Sequence, residues 1–292
     1  MAYPEAANTY DSLGEAYMVN GQNELAIKMQ RNPSLRDPNS HLMKEFREIY
    51  SKMAEIENFL IKDHIEINLG EIKHVLHVDD DEILPFWLYQ IPKLKNKDFG
   101  AIVTSGFSMM PLNVPSELNF IFSYLEFLVT IPSDFPLPMK NEKKYEFCWF
   151  IEKLKFFISY IHRDRTYFTH SHTYGNGNPP KPFIKSSGIC GFLFQYPVEE
   201  IPPNFWEFGI PPIKNIHFIQ LIPMYENELY YVLDNSDEKL MKLFKDRKIP
   251  RYLDMKRKNS LSEKGYNNSN YGKSSTFCKK CGTVIKNIDP TQ

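Results

Sequence analysis

The 292-residue chain carries 35 Lys and Arg against 36 Asp and Glu, so it lacks the basic field that drives sequence-independent binding to nucleic acid. Hydrophobic residues make up 42% and aromatics 14%, enough apolar surface for a sizeable core without disulfide staples. No basic stretch leads into an apolar segment at the N-terminus, no apolar run reaches about 18 residues, and four cysteines are too sparse for a secreted framework; the expected address is the cytoplasm, with reduced thiols and no membrane contact.

Residues 1–39 read as a helical hairpin. Tyr10, Leu13, Gly14, Tyr17, Ala26 and Pro38 stand at the spacing of one tetratricopeptide (TPR) repeat, a unit of about 34 residues that this segment resembles. Gln30 and Pro33 depart from that pattern and shorten or kink the second helix, and an arbitrary hairpin is the plainer alternative. A lone repeat has no neighbour to stack on, so it must pack on something else. Pro33–Ser40 is a connector, and Ser40 offers an N-cap to the next helix. There Leu42, Phe46, Ile49, Met53, Ile56 and Leu60 alternate spacings of four and three, one apolar stripe expected to pack on its own domain rather than on a second copy.

From Ile65 the pattern becomes short apolar runs broken by turns. Lys73–Val78, Phe86–Ile91, Ala101–Thr104 and Phe120–Ile131 predict strands. The acidic run Asp79-Asp80-Asp81-Glu82 is either a solvated turn or a point of charge complementarity to a basic partner. Helical periodicity returns at Phe147, Ile151, Leu154, Ile158 and Ile161, widened by Phe150 and Phe157, which predicts a helix buried on a sheet. Gly188–Tyr196 and Ile216–Ile222 are strands again, the second apolar on both faces apart from His217 and Gln220. Asp237 is expected to cap a last helix through Leu240 and Phe244.

After Pro250 the composition turns to Lys, Asn, Ser and Gly, which predicts a flexible tail over 251–292. It holds Cys278-Lys279-Lys280-Cys281-Gly282, half of a zinc knuckle. Structural zinc wants four ligands, so Cys278 and Cys281 hold zinc only if another chain or distant histidines complete the site; otherwise they are a remnant or a redox pair, and no cofactor is expected.

Spaced motifs between Asn68 and Arg247 carry a wider resemblance. These are Val103-Thr104-Ser105-Gly106-Phe107-Ser108, Ser116-Glu117-Leu118, the strand ending at Ile131-Pro132, His172-Thr173, and Leu221-Ile222-Pro223-Met224-Tyr225-Glu226-Asn227-Glu228-Leu229. In kind and order they resemble the suppressor-of-fused-like family of bacteria and animal signalling. The resemblance implies an α+β fold, a mixed-sheet α/β sandwich over 40–250, preceded by the hairpin of 1–39. It also implies a non-enzymatic, protein-binding role. Bacterial members look like immunity proteins or antitoxins that neutralise a toxin by direct binding, and animal members bind a short extended segment of a transcription factor.

The candidate site residues are Thr104, Ser105, Gly106, Ser108, Glu117, His172, Thr173, Glu226 and Glu228, in structural or partner-facing roles. Phe205 and Trp206, in a proline-stiffened loop, are a candidate contact surface or a lid over the core. The order Ser-Gly-Phe-Ser is not the Gly-x-Ser-x-Gly of a nucleophile elbow, which argues against serine catalysis. Three functions follow: an immunity or antitoxin-type binder; a regulatory adaptor using the TPR-like and Cys-x-x-Cys ends; and a metal-dependent hydrolase using His170, His172 and Glu226. Two histidines two apart on a strand would point the same way and could share a metal, although a structural hydrogen bond is the plainer role.

Overall fold

The computed structural model describes residues 41–78, 85–109, 111–112, 114, 123–135, 148–163, 166–197, 201–210, 214–262 and 283–284. The hairpin of 1–39, the acidic run 79–82, Glu117, Cys278 and Cys281 lie outside the described residues.

Among the described residues nine strands form one mixed sheet: β1 (His74–Val78), β2 (Phe86–Ile91), β3 (Phe99–Ser105), β4 (Tyr124–Pro132), β5 (Thr173–Gly175), β6 (Ile189–Gln195), β7 (Glu207–Ile210), β8 (Lys214–Tyr225) and β9 (Thr283–Val284). Their order is β1-β2-β3-β4-β8-β6-β5-β9, with β7 also paired to β8. Among the described residues only β4 and β8 pair in parallel, Tyr124 opposite Ile216 through Leu128 opposite Gln220. At twelve residues, β8 is long enough for β7 and then β6 to share its other edge.

Alternation along the strands builds a core on each face. On one face, α2 (Cys148–Arg163) sets Leu154, Phe157, Ile158 and Ile161 against Phe127 and Val129 of β4, Phe192 and Phe194 of β6 and Ile219 and Leu221 of β8. On the other, Ile216 and Phe218 of β8 join Leu128, Val103 and Tyr89 beneath α1 (His41–Asn68). Further along that face, Ile222 and Met224 meet α3 (Glu226–Asp234) and α4 (Asp237–Asp246) through Leu229, Val232, Leu240 and Phe244. The result is a mixed α+β sandwich, as the resemblance implies. No helix among the described residues is long and apolar enough to cross a membrane.

Three expectations are corrected. The stripe of α1 that meets the sheet is Ala54, Glu57, Ile61 and Ile65, whereas Ile56 is 65% exposed. The packed stripe contains an acid, which a count of apolar residues rejects, and Lys214 neutralises that acid. Ser236 caps α4, accepting from the Lys239 N–H at 3.3 Å, while the buried Asp237 turns its carboxylate to other donors. Finally, 251–262 is packed rather than loose: Leu253, Arg257, Ser260 and Leu261 are buried, and the Leu253 N–H donates to the Thr130 carbonyl at 2.8 Å. A few well-paired side chains anchor a segment whose mean composition is polar.

Candidate functional site

The Thr104–Ser108 motif folds around Glu126. Gly106 follows the end of β3, and its φ of +127° and lack of Cβ are both required, since a Cβ would lie 2.8 Å from the Pro85 carbonyl oxygen. The turn aims two backbone amides at Glu126 Oε1, Gly106 at 2.8 Å and Ser108 at 2.9 Å. Thr104 Oγ1 donates to Oε2 at 2.5 Å and accepts from the Phe127 N–H at 2.8 Å. Ser105 is buried, and its hydroxyl has no partner among the described residues.

Ser108 links this carboxyl to a second. Its Oγ lies 2.6 Å from Glu126 Oε1 and 2.5 Å from Glu57 Oε1, and a hydroxyl has one proton to give. Both contacts are hydrogen bonds only if one carboxyl is protonated. Glu57 is ion-paired with Lys214, which also donates to the Ser108 carbonyl at 2.9 Å and lies over the Tyr124 ring. Glu126 is fully buried, and desolvation pushes its carboxyl above the usual range against the pull of its donors. The proton therefore belongs to Glu126, and the charge pair to Glu57 and Lys214.

The histidines do not share a strand face. His170 and Ser171 form a turn, with Ser171 at φ +66°, before β5 begins at Thr173. His170 stacks on Tyr196 at 4.8 Å and its Nε2 lies 3.7 Å from Asp237 Oδ2. That carboxylate accepts from Ser171 Oγ and Gln195 Nε2, both at 2.5 Å. Burial drives the His172 imidazole down to about 4, and a hydrogen bond to the Tyr167 backbone partly offsets it. Thr173 is buried and pairs with Leu193 and Val284. Among the described residues, no three His, Cys, Asp or Glu side chains stand where they could hold a metal ion, so His170, His172 and Glu226 do not form the expected ligand set.

Glu226 and Glu228 diverge. Glu226, at the start of α3, lines a cleft of about 330 Å³ with Pro180, Pro182, Cys190 and Asn259. Glu228 reaches back to the Tyr225 N–H at 3.0 Å and forms a two-pronged bond with Arg257, at 2.6 and 3.0 Å. Arg257 lies over the rings of Tyr225 and Phe244. Phe205 is not partner-facing: it is fully buried against His64 and Phe218. Trp206 is half-buried and stacks on Tyr196 at 6.1 Å.

Glu126, Glu57, Lys214 and Arg257 are not singled out by the sequence, Asp237 is expected there only as a cap, and the one signal available for Glu126 is an acid inside a largely apolar strand. Two of the motifs that carry the resemblance, Val103–Ser108 and Leu221–Leu229, thus hold buried carboxyls, those of Glu126 and Glu228. A model of the suppressor of fused protein (SUFU) family matches residues 83–258, more than half of the chain. The chain belongs to the SUFU family. Three solved structures are similar to it. The SUFU homologue from Neisseria gonorrhoeae FA 1090 shares 19% identity with a TM-score of 0.48, covering 70% of this chain and 97% of its own. A structure of the Sufu–Fu complex shares 12% with a TM-score of 0.48, covering 70% and 92%. Drosophila Suppressor of Fused shares 11% with a TM-score of 0.41, covering 62% and 43%. No curated protein sequence matches the chain.

Proposed function

We propose that this SUFU-family chain is a non-enzymatic protein-binding domain of the immunity or antitoxin type, acting in the cytoplasm by direct occlusion of a toxin. The observation that carries the reading is the edge strand β1. Among the described residues it pairs only with β2, four of its five residues are not buried, and Val75 is 53% exposed. Globular proteins usually blunt such an edge, because its free N–H and C=O groups are a template for an added strand. The acidic run Asp79–Glu82 follows it directly and supplies a field complementary to a basic toxin such as a nuclease. Thr104, Gly106 and Ser108 are committed to Glu126, and Glu228 to Arg257, which is consistent with recognition by the surface rather than by these motif residues.

Co-expression with the toxin encoded by a neighbouring gene tests this. The expected result is restored growth and a stoichiometric complex, with Val75→Lys weakening the complex by about tenfold at unchanged thermal stability. A neighbouring toxin that the purified chain neither binds nor suppresses overturns it.

A further inference from the structure

Helix α1 carries two apolar stripes, and the sheet uses one of them. Ala54, Ile61 and Ile65 are buried beside the paired Glu57. Ile56 and Phe59 point elsewhere, at 65% and 67% exposure. Ile56 belongs to the second stripe, Leu42, Phe46, Ile49, Met53, Ile56 and Leu60, whose alternating spacing of four and three is that of a seam between packed helices, and Phe59 flanks it one turn after Ile56. Large apolar residues clustered on a helix face mark a surface that something covers.

We propose that the chain's own residues 1–39 cover it, so that the N-terminal hairpin and the first half of α1 close into a three-helix unit. Three observations support this occupant. First, the segment ends where α1 begins, with only the connector Pro33–Ser40 between them. Second, the lengths agree: helices of about 12 residues run about 18 Å, so a hairpin folding back from residue 40 covers roughly the first three turns of α1; the eight-residue connector, up to about 26 Å long, lets it lie further along the helix and reach Ile56 and Phe59. Third, each side lacks what the other has. A two-helix segment of this size cannot bury Tyr10, Leu13, Tyr17 and Ile27 by itself, and α1 offers one further helix on which Ile56 and Phe59 stand open. This inference is independent of the toxin-binding reading.

Hydrogen exchange on the full chain tests it, comparing wild type with Ile56→Asp/Phe59→Asp. Both positions are open to solvent on the sheet domain, so that domain keeps its fold. The expected result is protection over residues 10–31 in the wild type, reduced about tenfold or more in the variant, with β4 and β8 unchanged. Free exchange of 10–31 in the wild type overturns the proposal, as does protection that the variant leaves intact. A wild-type dimer in light scattering that the variant converts to monomer also overturns it, and assigns the stripe to a second copy.

Discussion

Glu228 and Arg257 form a completely buried ion pair, each side chain at 0% exposure, that ties the start of α3 to a segment beyond the last helix. Glu228 Oε1 also accepts from the Ser260 N–H at 2.8 Å, and Arg257 Nη2 donates to the Pro223 carbonyl at 2.7 Å. Breaking such a pair from one side leaves an uncompensated buried charge. Arg257→Ala is therefore expected to cost about 3–5 kcal/mol in urea unfolding. Chains ending at residues 250 and 262 should also differ, the shorter melting well below the longer. Equal melting temperatures would show that 251–262 carries no stability.

Glu126 makes stability depend on pH in an unusual direction. Its folded-state pKa lies above the ordinary value because of desolvation, so the folded chain holds its proton after the unfolded chain has released one. Below the ordinary carboxylate pKa both states are protonated; above it the unfolded state ionises first, and stability falls as pH rises. A glutamine at this place never ionises, yet still accepts from the Gly106 and Ser108 amides. Glu126→Gln should thus gain on the wild type as pH is raised from 5 to 8, measured by urea unfolding at each pH. A stability difference flat across that range would remove the proton from Glu126.

Strands β2, β3, β4, β6 and β8 were legible as short, almost wholly buried apolar runs between turns, and α2 by its helical period, with Phe150 and Phe157 reaching the core. Helix α3 was not: Glu-Asn-Glu-Leu-Tyr-Tyr-Val-Leu-Asp is rich in residues that suit strands, and what starts a helix there is the reach of Glu228 back to the Tyr225 amide. Short strands β5 and β7 exist only because β6 and β8 offer them an edge. At the candidate site, the motif residues were visible but their common centre was not. Glu126 stands 18 and 22 residues from Ser108 and Thr104, and no local pattern pairs them.

His172 supplies the opposite pH dependence. Burial lowers its folded-state value to about 4 against 6.5 unfolded, so between these values the unfolded chain binds the extra proton. The stability it contributes is present above pH 6.5 and lost as pH falls toward 4, by up to about 3 kcal/mol. Its imidazole resonances should show no titration between pH 8 and 5. Replacement by Asn should flatten the acid limb of the stability profile; a resonance titrating near 6.5 would contradict this.

Helix α1 precedes the residues that the SUFU family model matches, and part of its hold on the family domain is the ion pair of Glu57 with Lys214. Burial alone would push Lys214 toward its neutral form, and the facing Glu57 is what opposes that. Glu57→Leu and Lys214→Met should each cost about 3–5 kcal/mol, since each strands the other's charge beside the protonated Glu126. The double variant removes both charges and replaces them with apolar volume, so it should lose far less than the sum. A double-mutant cycle in urea should give a coupling of about 1.5 kcal/mol or more. Hydrogen exchange should place the single-variant loss in the turns of α1 around Glu57 first, because the following turns keep Ile61 and Ile65 in the core and His64 against Phe205. Additive losses below about 0.5 kcal/mol would mean that apolar packing alone holds the helix.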